Sequence, residues 1–256
     1  MRVILFDAVG TLIEPQPSVA EVYGRLGRRY GSCLSADEIV LRFRAAFRRQ
    51  QEYDRQRHWR TDENRERQRW RDIVRDVFAE LPHTEGLFDD LWHHFARADA
   101  WSCFPEVADV LSRLAAHGFQ LGIASNFDQR LRAVAHGLPA LLPCRWIFIS
   151  SELGWLKPAA AFFDRITEII GVEKSEILYV GDDYDTDCYS ALRAGWHAVW
   201  LNRTPNHAAT ESNAAPPKPD LTIPRTGEHA SIPPRAPPCP TVTSLNELLT
   251  LLVPRP

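Results

Sequence analysis

The chain opens on a short apolar run, Val3-Ile4-Leu5-Phe6, which ends on Asp7 and is followed by Gly10 and Thr11. A continuous apolar run of this length closed by a turn predicts a strand buried on both faces, with Asp7 delivered to the edge of a sheet. The pattern then changes. From Val19 to Phe95 no stretch reads as a strand. Apolar residues instead recur at helical intervals: Val19, Val22, Tyr23 and Leu26, then Ile39, Val40, Phe43 and Phe47, then Trp70, Ile73, Val74 and Val77. Leu87, Phe88, Leu91, Trp92 and Phe95 make a further helix, and Ser35 with Glu38 has the form of a capping box. An all-helical block is therefore inserted directly after the first strand.

From Trp101 onward strands and helices alternate. Helices are predicted over Pro105–Ala116, Asp128–His136, Ala159–Ile170 and Thr186–Ala194. Strands are predicted at Phe119–Ala124, Trp146–Ile149, Ile177–Val180 and Trp196–Leu201. Such alternation implies the α/β class, with a parallel sheet covered on both faces. Ten of the nineteen prolines fall between Pro205 and Pro240, so residues 203–240 read as an extended surface loop. Within it Asp220-Leu221-Thr222-Ile223 has the form of a short edge strand, and Leu245–Leu252 is predicted to dock back as a terminal helix.

Composition narrows the class without choosing a chemistry. A chain of 256 residues with 45% hydrophobic and 25% charged residues is ordinary for a globular protein of one or two domains. A net charge of -3 implies no general attraction to nucleic acid or membrane. Arginines crowd the helical block between Arg42 and Arg75, but they interleave with acids and read as a salt-bridged helix face. The five cysteines are scattered with no metal-like spacing, as expected for reduced thiols. The N-terminal apolar run is too short for a signal peptide and no segment approaches a membrane span, so a cytoplasmic protein is expected.

Candidate chemistry lies just past the predicted strands, where open parallel sheets bind their ligands. Asp7 follows the first strand, Ser125-Asn126 the second, and Lys157 stands shortly after the third in Gly154-Trp155-Leu156-Lys157-Pro158. Gly181-Asp182-Asp183-Tyr184-Asp185-Thr186-Asp187 follows the fourth. Carboxylates this dense repel one another unless a cation compensates, and a hard divalent ion such as Mg²⁺ prefers oxygen ligands.

In order and spacing, these motifs resemble the haloacid dehalogenase-like (HAD) hydrolase superfamily: Asp-x-x-Gly-Thr-Leu, Ser-Asn, Lys-Pro and Gly-Asp-x-x-x-x-Asp. The helical insert is similar to the C1 cap of its subfamily IA. The opening Phe-Asp-Ala-Val-Gly-Thr-Leu looks most like the branch named after rhythmically expressed protein 2. The resemblance implies a Rossmann-like core formed by residues 1–14 and 100–256, with a helical cap over 15–99. It implies Asp7 as nucleophile, Ser125 as hydrogen-bond donor to the transferring group and Lys157 as charge-neutralising cation. Substrate contacts would come from Asn126, Thr11 and Gly10. Mg²⁺ would be held by Asp7, the Val9 carbonyl and Asp182, with Asp187 and Asp183 supporting it.

Val9 occupies the place where phosphatases of that superfamily carry a second Asp as general acid and base. Loss of such a group costs about 10²–10⁴-fold. The expected function is a slow, Mg²⁺-dependent phosphatase of a small phosphorylated metabolite, working through an aspartyl intermediate. A 2-haloacid dehalogenase is the alternative, since halide needs no proton. Such relatives use a cap arginine, for which Arg48 or Arg49 is the candidate, but they need no metal. Phosphonatase chemistry needs a cap lysine, and residues 15–100 contain none. A catalytically weak binding or regulatory module is the non-enzymatic reading. The partner expected is a small molecule; oligomeric state is not legible.

Overall fold

The computed structural model describes residues 1–203 and 239–253. Strand β1 (Val3–Phe6) is buried at all four residues and pairs in parallel on both sides. Its alternation sends Ile4 and Phe6 into the core on one face, and Val3 and Leu5 into the core on the other. That explains the unbroken apolar run.

The chain then makes a short strand, β2 (Ile13–Pro15), before entering four helices: α1 (Val19–Arg29), α2 (Ala36–Gln56), α3 (Glu63–Val77) and α4 (Glu85–His94). These helices carry their own apolar cluster, including Tyr23, Phe43, Ile73, Val77 and Phe88. The Ser35–Glu38 capping box opens α2, and Ser18 with Glu21 forms another at α1. Strand β3 (Trp101–Cys103) brings the chain back and pairs antiparallel with β2. The sequence reading did not anticipate this two-stranded connection, because three-residue strands show too little periodicity to be read.

The rest follows the alternating pattern: α5 (Val107–Ala116), β4 (Gln120–Ser125), α6 (Arg130–His136), β5 (Cys144–Ile149), α7 (Ser150–Leu153), α8 (Ala160–Ile170), β6 (Ile177–Gly181), α9 (Ser190–Arg193), β7 (His197–Leu201), β8 (Thr241–Val242) and α10 (Asn246–Leu252). The main sheet has six parallel strands in the order β5-β4-β1-β6-β7-β8. This is a Rossmann-like α/β core.

The helix expected over Thr186–Ala194 is instead a π-helical turn, Tyr184–Tyr189, leading into α9. Asp183 caps it by accepting from the Thr186 amide. The expected strand at Asp220–Ile223 and most of the proline-rich loop lie outside the described residues. Among the described residues the edge beside β7 is β8. No helix among them is long and apolar enough to cross a membrane.

The register sets the site. Phe6 lies opposite Ile123 on β4 and Val180 on β6. The next residues, Asp7, Ala124-Ser125 and Gly181-Asp182, therefore leave the sheet side by side, where the chain order reverses about β1.

Candidate active site

Asp7 leaves β1 into a tight turn in which the Ala8 carbonyl accepts from the amides of Thr11, Leu12 and Ile13 at 3.3, 2.8 and 2.9 Å. Gly10 has φ +86°, and a Cβ there would stand 2.5 Å from Asp182 Oδ2. Glycine is thus required both by the left-handed backbone and by the close approach of a carboxylate. Thr11 Oγ1 donates to Asp182 Oδ1 at 3.3 Å. The outer side of the turn is held by Arg203, which donates to the Gly10 carbonyl at 3.2 Å and the Thr11 carbonyl at 2.9 Å. Arg203 also pairs with Glu106 at 2.6 Å and lies 3.8 Å over the Phe104 ring.

Lys157 reaches the same point from the loop after α7. Its ammonium is 2% exposed and donates to Asp7 Oδ1 at 2.8 Å, Asp187 Oδ1 at 2.6 Å and the Tyr179 hydroxyl at 2.7 Å. Burial disfavours its charge, but Asp187 and Asp7 outweigh that and hold its pKa well above the ordinary lysine value. Asp187 is folded back by the π-helical turn, so that its Oδ2 accepts from the Asp183 amide at 3.0 Å. Burial, reinforced by Asp7 and Asp182, pushes Asp187 well above the usual carboxylate range against the pull of Lys157.

Carboxylate oxygens of Asp7, Asp182 and Asp187 lie within 4.8 Å of one another. Asp7 and Asp187 both accept from the buried lysine and Asp182 lies beside them, a cluster of oxygen donors that a hard divalent cation fits. Both Asp187 oxygens already accept hydrogen bonds, which suits it to support an ion from behind. The Val9 carbonyl belongs to the same turn. Among the described residues it accepts no hydrogen bond, whereas Ala8, Gly10 and Thr11 all do.

Ser125, at the end of β4, is 3% exposed. The side chains of Asn126 and Thr11 make bonds within the site. Asn126 donates to the Lys157 carbonyl at 3.0 Å and accepts from the Lys157 amide at 2.8 Å, fixing the lysine's peptide. The Thr11 hydroxyl is committed to Asp182 and fully buried. Gly10 contributes backbone alone.

The helical insert meets the core beside the lysine. The Trp59 carbonyl accepts from the Leu156 amide at 2.8 Å, and the Thr61 amide donates to the Gly154 carbonyl at 3.1 Å. His58 and Trp59, which turn the chain there, have φ of 56° and 60°. Glu63 accepts from the Gln129 amide at 3.0 Å and from the Ser151 hydroxyl. Arg130, bonded to Asp128 through two nitrogens at 2.7 Å, stacks 3.5 Å over Trp92 of the insert.

The arginine face pairs largely with acids, as in Arg42–Glu80, Arg65–Asp54, Arg67–Asp89 and Arg71–Glu85. The two arginines suggested as cap ligands both lie on α2. Arg49 donates to Asp76 at 2.8 Å in a surface groove between α2 and α3, and Arg48 is exposed. The buried arginine of the insert is Arg69, 3.6 Å from Asp54 and from Glu66, with its Nε lacking a partner among the described residues.

The order of motifs, the parallel sheet and the Asp–Lys–Asp cluster agree with comparison to known proteins. The family model for haloacid dehalogenase-like hydrolases matches residues 1–195. The chain belongs to the haloacid dehalogenase-like hydrolase family. Among relatives of this HAD-like chain, haloacid dehalogenase-like hydrolase domain-containing protein 3 of Danio rerio is 29% identical over 79% of this chain and 86% of its own length. The rhythmically expressed gene 2 protein of Drosophila melanogaster is 24% identical over 78% of this chain and 83% of its own. The L-2-haloacid dehalogenase from Xanthobacter autotrophicus superposes with a TM-score of 0.69 at 21% identity, covering 99% of this chain and 100% of that one. A HAD phosphatase from Thermococcus onnurineus gives 0.62 at 22%, covering 99% and 98%. Proteins named for both chemistries thus share this fold.

Several groups at the site escaped the sequence reading. Tyr179 stood within an apolar strand and read as core, Arg203 had no motif around it, and the Trp59 contact is long-range backbone pairing.

Proposed function

We propose that the chain is a Mg²⁺-dependent phosphatase acting on a small phosphorylated metabolite through an aspartyl intermediate at Asp7. The carrying observation is the cluster of carboxylate oxygens of Asp7, Asp182 and Asp187, which lie within 4.8 Å of one another beside the buried Lys157. That arrangement is costly without a divalent cation. A displacement that releases halide gains nothing from one.

Asp7 and Asp182, with the Val9 carbonyl, would hold the ion, and Asp187 would support it. When bound, Mg²⁺ would supply positive charge to the phosphoryl oxygens and to the carboxylates around them. In this reading Asp7 attacks phosphorus, the ester oxygen leaves with the bonding pair, and water later releases phosphate and restores Asp7. Ser125 donates to a phosphoryl oxygen. Lys157 offsets the charge of Asp7 while holding it in place. Val9 has no proton to give, so the ester oxygen departs as an anion unless the substrate protonates it, and turnover is slow.

The helical insert serves as a cap that excludes water from the crevice, supported by its contacts at Gly154 and Leu156. A cytoplasmic location goes with this reading, supported by five free thiols. Val9 favours one second reading, a 2-haloacid dehalogenase, in which Arg69 is the insert arginine to test.

The test is phosphate release from an aryl phosphate with Mg²⁺ and with EDTA, for wild type and Asp7→Asn, beside chloride release from 2-chloropropionate. Phosphate release that needs both Mg²⁺ and Asp7 supports the proposal. Chloride release that survives EDTA replaces it with the dehalogenase, and no turnover in either assay replaces it with a binding module.

A further inference from the structure

We infer that Tyr179 is a positioning residue for Lys157, and that its hydroxyl makes the lysine a fixed cation with no hydrogen left for substrate. An ammonium has three donors. In Lys157 they go to Asp7, Asp187 and Tyr179, at 2.8, 2.6 and 2.7 Å. The Tyr179 hydroxyl spends its own proton on the Ala124 carbonyl at 2.5 Å, which leaves its oxygen to accept from the lysine. The direction of the relay is thereby set: Lys157 to Tyr179 to the end of β4.

The ring cannot drift. Tyr179 is fully buried in β6, edge-on to Phe163 at 6.2 Å and tilted against Trp196 at 6.2 Å. Asn126 holds the lysine's backbone from the other end. Lys157 is therefore clamped at both its peptide and its tip, with the ammonium aimed at Asp7. Two consequences follow, and they rest on the phosphatase reading. Lys157 acts on the phosphoryl group through charge alone, and it does not supply the proton that Val9 lacks.

The test reads the hydrogen bonds directly, without substrate or metal. The chain has only three lysines, Lys157, Lys174 and Lys218. In a ¹H–¹⁵N spectrum tuned to ammonium groups, exposed lysines exchange with water too fast to be seen, and one held on three sides exchanges slowly. One slow signal is expected in wild type, retained in Lys174→Arg and Lys218→Arg, with a nuclear Overhauser contact to the Tyr179 hydroxyl proton. Tyr179→Phe, which keeps the ring, should abolish it or broaden it to the level of an exposed lysine. No slow signal in wild type, no contact to the hydroxyl, or an unchanged signal in Tyr179→Phe would each overturn the inference. If the enzyme is a phosphatase, Tyr179→Phe should also lower kcat by up to about 10²-fold with KM little changed. Absence of phosphatase activity in wild type would sink the function and leave the positioning result standing.

Discussion

Lys157 and Asp7, 150 positions apart in the chain, meet at 2.8 Å at the carboxyl end of the central strand β1, with the lysine buried. Neither charge would be stable there alone. Lys157→Met should therefore destabilise the protein by about 3–5 kcal/mol, because it strands Asp7 and Asp187 facing each other. Adding Asp187→Asn should recover part of that loss. Denaturant unfolding of the single and double variants checks this; equal stability of wild type and Lys157→Met would contradict it.

In the phosphatase reading, Val9 sits where a proton donor is wanted. Val9→Asp should raise phosphate release by at least about tenfold, the low end of what general acid–base catalysis contributes. The comparison is made at saturating Mg²⁺, because the new acid also adds negative charge. Unchanged activity in a folded, metal-binding variant would show that the missing acid is not what limits turnover.

Gly10 packs directly on the Asp182 carboxylate. Gly10→Ala would force a Cβ to within 2.5 Å of Oδ2 on a backbone with φ +86°, so Asp182 must move. Mg²⁺ affinity, measured by calorimetry, should fall by about 10–100-fold, as when a metal ligand loses its support. Retained affinity would remove Asp182 from the metal site.

Glu66 gives a pH signature away from the site. It is fully buried, and burial raises its pKa above 4.5 despite Arg69 and a hydrogen bond from Thr61. Folding thus favours its protonated form. Its contribution to stability is complete below the unfolded value and is lost as pH rises through the raised folded value. Glu66→Gln should remove that loss, so the stability difference between variant and wild type should shift in favour of the variant as pH rises above 4.5. A difference independent of pH would contradict it.

Much of the fold was legible because its signals are local. The apolar run closed by Asp7 marked the central strand, and the acids after Gly181 marked the loop that brings Asp182 and Asp187 to it. Register then brought Asp7, Ser125 and Asp182 together without any further specification. What stayed hidden depends on long-range geometry. β2 and β3 exist only through each other, and Trp59 meets Leu156 through backbone atoms whose positions no side chain announces. Tyr179 looks like one more aromatic in a buried strand until the lysine is seen against its hydroxyl. Asn126 and Thr11 were marked by their motifs, but their bonds to Lys157 and Asp182 were not, because a motif names a residue and leaves open which of its neighbours it bonds.

The decisive measurement is the mass of the N-terminal peptide carrying Asp7, after acid quench during turnover of an aryl phosphate with Mg²⁺. Wild type should show a fraction of that peptide heavier by one phosphoryl group, and Asp7→Asn should show none. Phosphate release with no phosphorylated Asp7, or undiminished turnover in Asp7→Asn, would contradict the aspartyl mechanism.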